Sequence, residues 1–136
     1  MQKASIVFGR IALFTIYFWF GLLKLVGDSP ATPLVRALFN QTVAKSFHFL
    51  TFSQFILIFA VFEMIIGICF LISKLDKLSI TLLVFHLILT SLPLFLLSHL
   101  VWTKFGVPTL EGQYIIKNLV LLALGLSIFV NSRRNA

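Results

Sequence analysis

Four long apolar runs, at about residues 5–26, 52–72, 78–102 and 112–130, alternate with short polar breaks along the chain. Each holds about 19 to 25 residues, enough for a helix to cross a hydrocarbon layer of about 30 Å. None alternates with period two over ten residues, as a barrel strand would, so helices are predicted. Pro93 lies inside the third run. It lacks the N–H that would serve the Leu89 carbonyl, which predicts a bend, with the Thr90 and Ser91 hydroxyls placed to serve the loosened backbone. The brief Ser73 to Lys77 break makes the second and third runs an antiparallel hairpin. The connection from Gly27 to Leu50 is the one long segment outside these runs. Thr32 before Pro33 gives an N-cap and first-turn signal, and Val35, Leu38, Phe39, Val43 and Phe47 then recur at helical spacing. An amphipathic helix over about 33–48 follows, either lying on the outer leaflet or capping the mouth of the bundle. The predicted fold is all-α: a single-domain integral membrane four-helix bundle, with an extra amphipathic interfacial helix between spans one and two.

Composition turns this pattern into an exclusion. The chain is 60% hydrophobic over 136 residues, while four spans require about 80 apolar residues. Charged residues make up 11%, against roughly 25% in soluble domains, and the mean hydropathy is +1.07. A soluble domain is thereby excluded, because no arrangement could clothe such a core in polar side chains. The net charge of +7 then describes loops facing anionic headgroups rather than a nucleic-acid surface. A cleaved leader would explain Lys3 and the small residues Gly27 and Ser29. However, the first run is too long and aromatic, and Arg10 interrupts it where a leader core is uniformly apolar. Lys3, Lys74, Lys77, Arg133 and Arg134 fall on one side of the spans, and Arg36, Lys45 and Lys104 on the other. The positive-inside rule therefore puts both termini in the cytoplasm. Cys69 is the sole cysteine, so no intramolecular disulfide, CxxC pair or zinc pattern exists and no metal site is expected.

The chemistry sits in the charges that interrupt the spans. Each costs about 2.5 to 3.5 kcal/mol near the bilayer centre, so each needs a partner or a reason. Arg10, Tyr17 and Lys24 recur every seven residues, with Gly21 nearby, and form one polar and small stripe. Arg10 and Lys24 have a bland alternative, in which each snorkels to its own interface. Glu63 has none, being near the middle of span two and too short to reach either headgroup layer. Ala60 and Gly67 share its face and allow close helix approach. His86, Thr90 and Pro93 form another stripe in span three, and Lys117 and Asn118 open span four. At about 1.5 Å of rise per residue, Arg10, His86 and Glu63 lie about 8, 12 and 13 Å from the cytoplasmic edge and can cluster. Lys117 lies about 9 Å from the opposite edge, so Glu63 is expected either to pair with one of two counter-ions, Arg10 or Lys117, or to be protonated. The predicted polar centre is Arg10, Tyr17, Lys24, Glu63, His86, Thr90, Lys117 and Asn118. Its positive balance suits a buried carbonyl or anionic head group, such as a quinone ring, and equally an internal salt-bridge network.

Arg10 followed by Gly21-Leu22-Leu23-Lys24, Glu63 with Gly67, and Glu111-Gly112-Gln113-Tyr114-Ile115-Ile116-Lys117-Asn118 opening span four form a set of motifs. In these the chain resembles the DoxX-like family of small four-helix membrane proteins. The resemblance implies a four-helix inner-membrane protein and, as in some members, a subunit that passes electrons from a sulfur compound to quinone. No phosphate loop, nucleotide fingerprint, Ser-His-Asp set or HExxH motif occurs, so the chain is not expected to be catalytic on its own. His86 and His99 are about 20 Å apart in rise, which excludes a haem held by both. The expectation is a quinone-contacting or accessory subunit of a membrane redox complex, partnered by lipid and by other membrane subunits or further copies. The alternatives are a purely structural accessory subunit or an oligomeric small-solute transporter.

Overall fold

The computed structural model describes residues 2–134. In chain order the elements are α1 (Gln2–Val26), α2 (Thr32–Gln41), α3 (Val43–Ser46), α4 (Phe52–Leu71), a 3-10 turn at Ser73–Leu75, α5 (Asp76–Ser91), α6 (Pro93–Leu96), α7 (Ser98–Val101), strands β1 (Trp102–Lys104) and β2 (Val107–Pro108), and α8 (Leu110–Arg134). Four stretches are long and apolar enough to cross a membrane: Lys3–Val26, Phe52–Leu71, Ser73–Leu96 and Leu110–Arg133. They form an up-and-down bundle in which α1 packs on α4 and α8, and α5 packs on the same two helices. The core between them is Leu13, Ile66, Phe70, Leu83, Leu87 and Ile128, with Tyr17 among them. The outside is apolar too, with Phe8, Phe85, Ile88, Leu119 and Val120 all exposed, a surface suited to lipid.

Helix ends follow local chemistry. Gly27 takes φ +86, and the Asp28 N–H donates to the Leu23 carbonyl at 3.0 Å, the left-handed stop of a Schellman cap. Thr51 and Gln54 form a reciprocal capping box that starts α4. Pro93 ends α5, and the Leu89 carbonyl accepts from Leu92 N at 3.3 Å instead. The Thr90 hydroxyl serves the carbonyls of His86 and Leu87, as expected of a hydroxyl beside a proline break.

Four expectations require correction. The third span is not one helix over 78–102. After Pro93 the chain makes two single turns, and a small hairpin begins at Trp102, whose indole N–H donates to the Leu94 carbonyl at 3.1 Å. The fold is therefore not wholly α. Gly106, at φ +76, supplies the left-handed residue this hairpin needs, and Phe105 projects fully exposed beside it. Thr32 does not cap α2. Ala31 holds that position without a side-chain cap bond, while the Ser29 hydroxyl accepts from Ala31 N–H. The fourth helix is longer than 112–130 at both ends. Of the basic residues counted for topology, Arg134 has its side chain outside the described residues. The amphipathic segment divides into α2 and α3. It is seated on the bundle, since α2 packs against α4 and α6 and buried Phe39 lies 5.6 Å from the Phe52 ring and 5.2 Å from the Phe55 ring.

The closest helix pair, α1 and α4, is set by two glycines facing opposite ways. A Cβ at Gly21 would stand 2.7 Å from the Ala60 carbonyl oxygen, and one at Gly67 would stand 3.1 Å from both the Phe14 oxygen and the Phe18 nitrogen. Backbone offers no give, so these positions fix the interhelical distance. Gly21→Val is expected to lower stability by about 1 to 3 kcal/mol, read as an earlier thermal transition by circular dichroism in detergent. Ala123→Val, on the exposed face of α8, should leave the transition in place.

Candidate functional site

The heptad stripe of α1 turns inward along its whole length, with Arg10, Tyr17 and Lys24 7%, 3% and 7% exposed. Against it α4 presents Glu63, in the shallow lane kept open by Ala60 and Gly67, and α5 presents His86. Lys24 Nζ donates to Glu63 Oε2 at 2.6 Å. The other carboxylate oxygen, Oε1, lies 3.0 Å from His86 Nε2. The second imidazole nitrogen, Nδ1, is 3.3 Å from the Tyr17 hydroxyl. One tautomer satisfies the set with a neutral imidazole: Nε2–H donates to the carboxylate while Nδ1 accepts from the phenol. Lys24 and Glu63 are of opposite sign and bond each other directly. Aromatic rings wall the imidazole. Phe59 stacks on it at 5.3 Å and 15°, and Tyr17 meets it edge-on at 5.1 Å and 77°. Lys24 Nζ stands 5.6 Å from the Phe59 centroid, a further favourable contact for a buried cation.

Arg10 does not join this quartet, contrary to the expected grouping with His86 and Glu63. Its guanidinium grips both oxygens of Asp76, each at 2.7 Å, and also donates to the Phe70 carbonyl at 2.8 Å and the Ser132 hydroxyl at 3.3 Å. This is the two-pronged geometry that arginine makes with a carboxylate and lysine cannot. Glu63 therefore pairs with neither predicted counter-ion. Lys117 is excluded by direction: it is exposed on α8, with Nζ over the Tyr114 ring at 5.4 Å. The inward face of α8 runs through Gly112, Ile115, Gly125 and Ile128, and Asn118 rather than Lys117 follows that phase. Asn118 Nδ2 approaches Thr90 Oγ1 at 3.4 Å, and Thr90 donates to the His86 carbonyl at 3.0 Å. Thr90 and Asn118 thus flank the quartet without touching its charged atoms.

Sequence reasoning missed Asp76 and Ser132. Asp76 reads as one acid in a lysine-flanked turn, yet it stands ten residues before His86, and Ser79, Leu83 and His86 continue its inward face at helical spacing. That phase is the signal that could have found it. Ser132 lies beyond the predicted end of span four.

Comparison with protein-family models, with characterised proteins and with solved structures yields no match to this chain.

The arrangement offers a continuous hydrogen-bonded order of phenol, imidazole, carboxylate and ammonium. Each polar side-chain atom in it already has a partner. Among the described residues the one buried side-chain nitrogen or oxygen without a hydrogen bond is Thr32 Oγ1, outside the quartet. Lys24 Nζ engages two of its three N–H groups, on Glu63 at 2.6 Å and on the Phe20 carbonyl at 3.5 Å, so no atom of the set stands without a bond. Nor do any three His, Cys, Asp or Glu among the described residues stand together as metal ligands; Cys69 is a buried free thiol.

Removing one partner of the central pair strands the other. Glu63→Gln and Lys24→Met are each expected to destabilise by about 3 kcal/mol. The double variant should lose less than the sum of the two, measured as a double-mutant cycle of detergent unfolding.

Proposed function

We propose that this chain is a DoxX-like integral protein of the inner membrane that acts as an accessory subunit of a larger membrane redox complex. In this reading both termini face the cytoplasm, and the buried quartet holds three helices in register without turning over a substrate. The observation that carries it is the closure of Tyr17, His86, Glu63 and Lys24 on one another, which leaves the exposed faces of the bundle as the surfaces available for work. Subunits of this kind act through their shape and their contacts, and a core whose polar groups bond one another suits that task. The DoxX resemblance of Gly21 to Lys24 and of Glu111 to Asn118 supports the same assignment.

A second reading, quinone contact, is favoured by one feature: phenol, imidazole and carboxylate stand in the order in which a proton can pass. It would use the third N–H of Lys24, whose other two reach Glu63 and the Phe20 carbonyl. The test is capture of the chain from native membranes in mild detergent, followed by mass spectrometry of proteins and bound lipophiles. A stoichiometric set of larger membrane subunits without quinone is expected, and deletion of the chain should impair assembly of that set. Recovery of a partner-free protein that retains quinone would replace the accessory reading with the second. Solute flux through the purified protein in liposomes would replace both.

A further inference from the structure

Glu63 is one carboxylate with two partners that can each be a cation. Lys24 Nζ donates to Oε2 at 2.6 Å, and His86 Nε2 lies 3.0 Å from Oε1. The two partners differ in their freedom to leave. His86 is buried near the middle of the third span, with Phe59 stacked on it at 5.3 Å, Tyr17 edge-on at 5.1 Å and Phe62 at 6.1 Å. Its side chain is too short to reach either end of the bundle. Lys24 belongs to the last turn of α1, and residues 25–28 beyond it are exposed. A helical turn rises about 5.4 Å, a length that a lysine stem spans. The same ammonium can therefore lie on Glu63 or at the end of its own helix. That end is open, since a Cβ at Gly27 would meet nothing within 4 Å.

Few charged or titratable groups face this carboxylate and imidazole. Helix α1 brings Tyr17 and Lys24, and α4 brings Glu63 itself. From α8 comes Asn118, which reaches the Thr90 hydroxyl at 3.4 Å and does not titrate. Arg10 and Asp76 hold each other at 2.7 Å, and Arg36 of α2 lies over the Phe52 ring at 3.9 Å instead. Asp28 is exposed four residues after Lys24, and among the described residues the ion pairs are Arg10–Asp76, Lys24–Glu63 and His86–Glu63, so Asp28 is in none of them. Two cations around one buried acid would leave a charge uncompensated in hydrocarbon, at a cost of about 2.5 to 3.5 kcal/mol. When the imidazole carries a second proton, one cation must leave, and Lys24 is the one with a way out.

We propose that the quartet is a proton-operated latch, in which a second proton on His86 displaces Lys24 from Glu63 to the C-terminal end of α1. The proton comes from solvent and binds Nδ1, so the bond to Tyr17 turns round and the phenol oxygen accepts. Nε2–H stays on Glu63, now as imidazolium paired with carboxylate, a stronger bond than the neutral one. Lys24 exchanges Glu63 for water and the Asp28 carboxylate. One cation replaces another, so the acid stays paired while α1 loses its charged tie to α4. The latch rests on the geometry of the quartet, not on partner subunits or on quinone.

Lysine acetylation of the full chain in mild detergent tests it, with N-hydroxysuccinimidyl acetate as the probe and mass spectrometry as the readout. The rate at Lys24 is taken relative to that at Lys45, an exposed lysine, which removes the reagent's own dependence on pH. Between about pH 8 and pH 5, the interval in which an imidazole gains its charge, the ratio should rise about ten-fold as the released state passes from minor to dominant. In His86→Gln, whose amide can still donate to Glu63, the ratio should stay low throughout. Nitrogen NMR of the unaltered chain should show the His86 ring gaining its second proton with the same midpoint as the labelling. A ratio in the unaltered chain that does not change with pH overturns the proposal. So does a rise that persists in His86→Gln, or a ring midpoint that differs from the labelling midpoint. The two readouts on the unaltered chain decide the matter even where the variant fails to fold.

Discussion

Glu63 accepts from an ammonium on one neighbouring helix and meets an imidazole on another, and the positions of α1, α4 and α5 follow from that double contact. A carboxylate near the middle of an apolar helix is costly alone, and a lysine at the same depth is equally so. Brought to 2.6 Å, each removes the other's penalty, but only where the helices approach closely enough for side chains to meet without strain. Gly21 and Gly67 provide that approach. The small residues and the ion pair are thus two halves of one device, since neither would hold the helices alone.

The same logic repeats at the other end of the bundle with different chemistry. Arg10 reaches over the end of α4 to the acid that opens α5, and touches α8 through Ser132. Two cations on α1 therefore meet two acids carried by the α4–α5 hairpin, and the interior is charge-balanced at both levels. Helix α8 is held otherwise. Its polar ties run through Ser132, to Arg10 at 3.3 Å and to the Asp76 carboxylate, and through Asn118, to Thr90 at 3.4 Å, while Gly125 and Ile128 pack against the apolar core.

Periodicity and length made the four spans, the inward stripe of Arg10, Tyr17 and Lys24, and the bend at Pro93 legible. The demand that Glu63 be partnered was legible too, because a short side chain in mid-span has no escape to water. The identity of that partner was hidden. Depth arithmetic places residues along an axis but says nothing of azimuth, so it admitted Lys117, which points outward. The snorkelling alternative likewise set Lys24 at its own interface, although an extended lysine can reach back toward the middle of the bundle. Asp76 was obscured by its neighbours Lys74 and Lys77, which made the turn read as simply basic. The β-hairpin was hidden because Trp102 and Val107 look like the tail of an apolar run until the Gly106 turn is seen. These misses concern direction and pairing, which tertiary packing decides, whereas the correct readings concern length and phase, which are local.

The separation of the paired charges along the chain bears on how the protein is made. Lys24 precedes Glu63 by 39 residues and Arg10 precedes Asp76 by 66. At a synthesis rate of about 5 to 20 residues per second, the first helix carries two unmatched cations for about 2 to 13 s. They lie near its opposite ends, so during that interval each can rest at its own headgroup layer. The hairpin of α4 and α5 then delivers both acids as one unit and draws the cations inward. Pairing of the charges on the first span thus waits on the second and third.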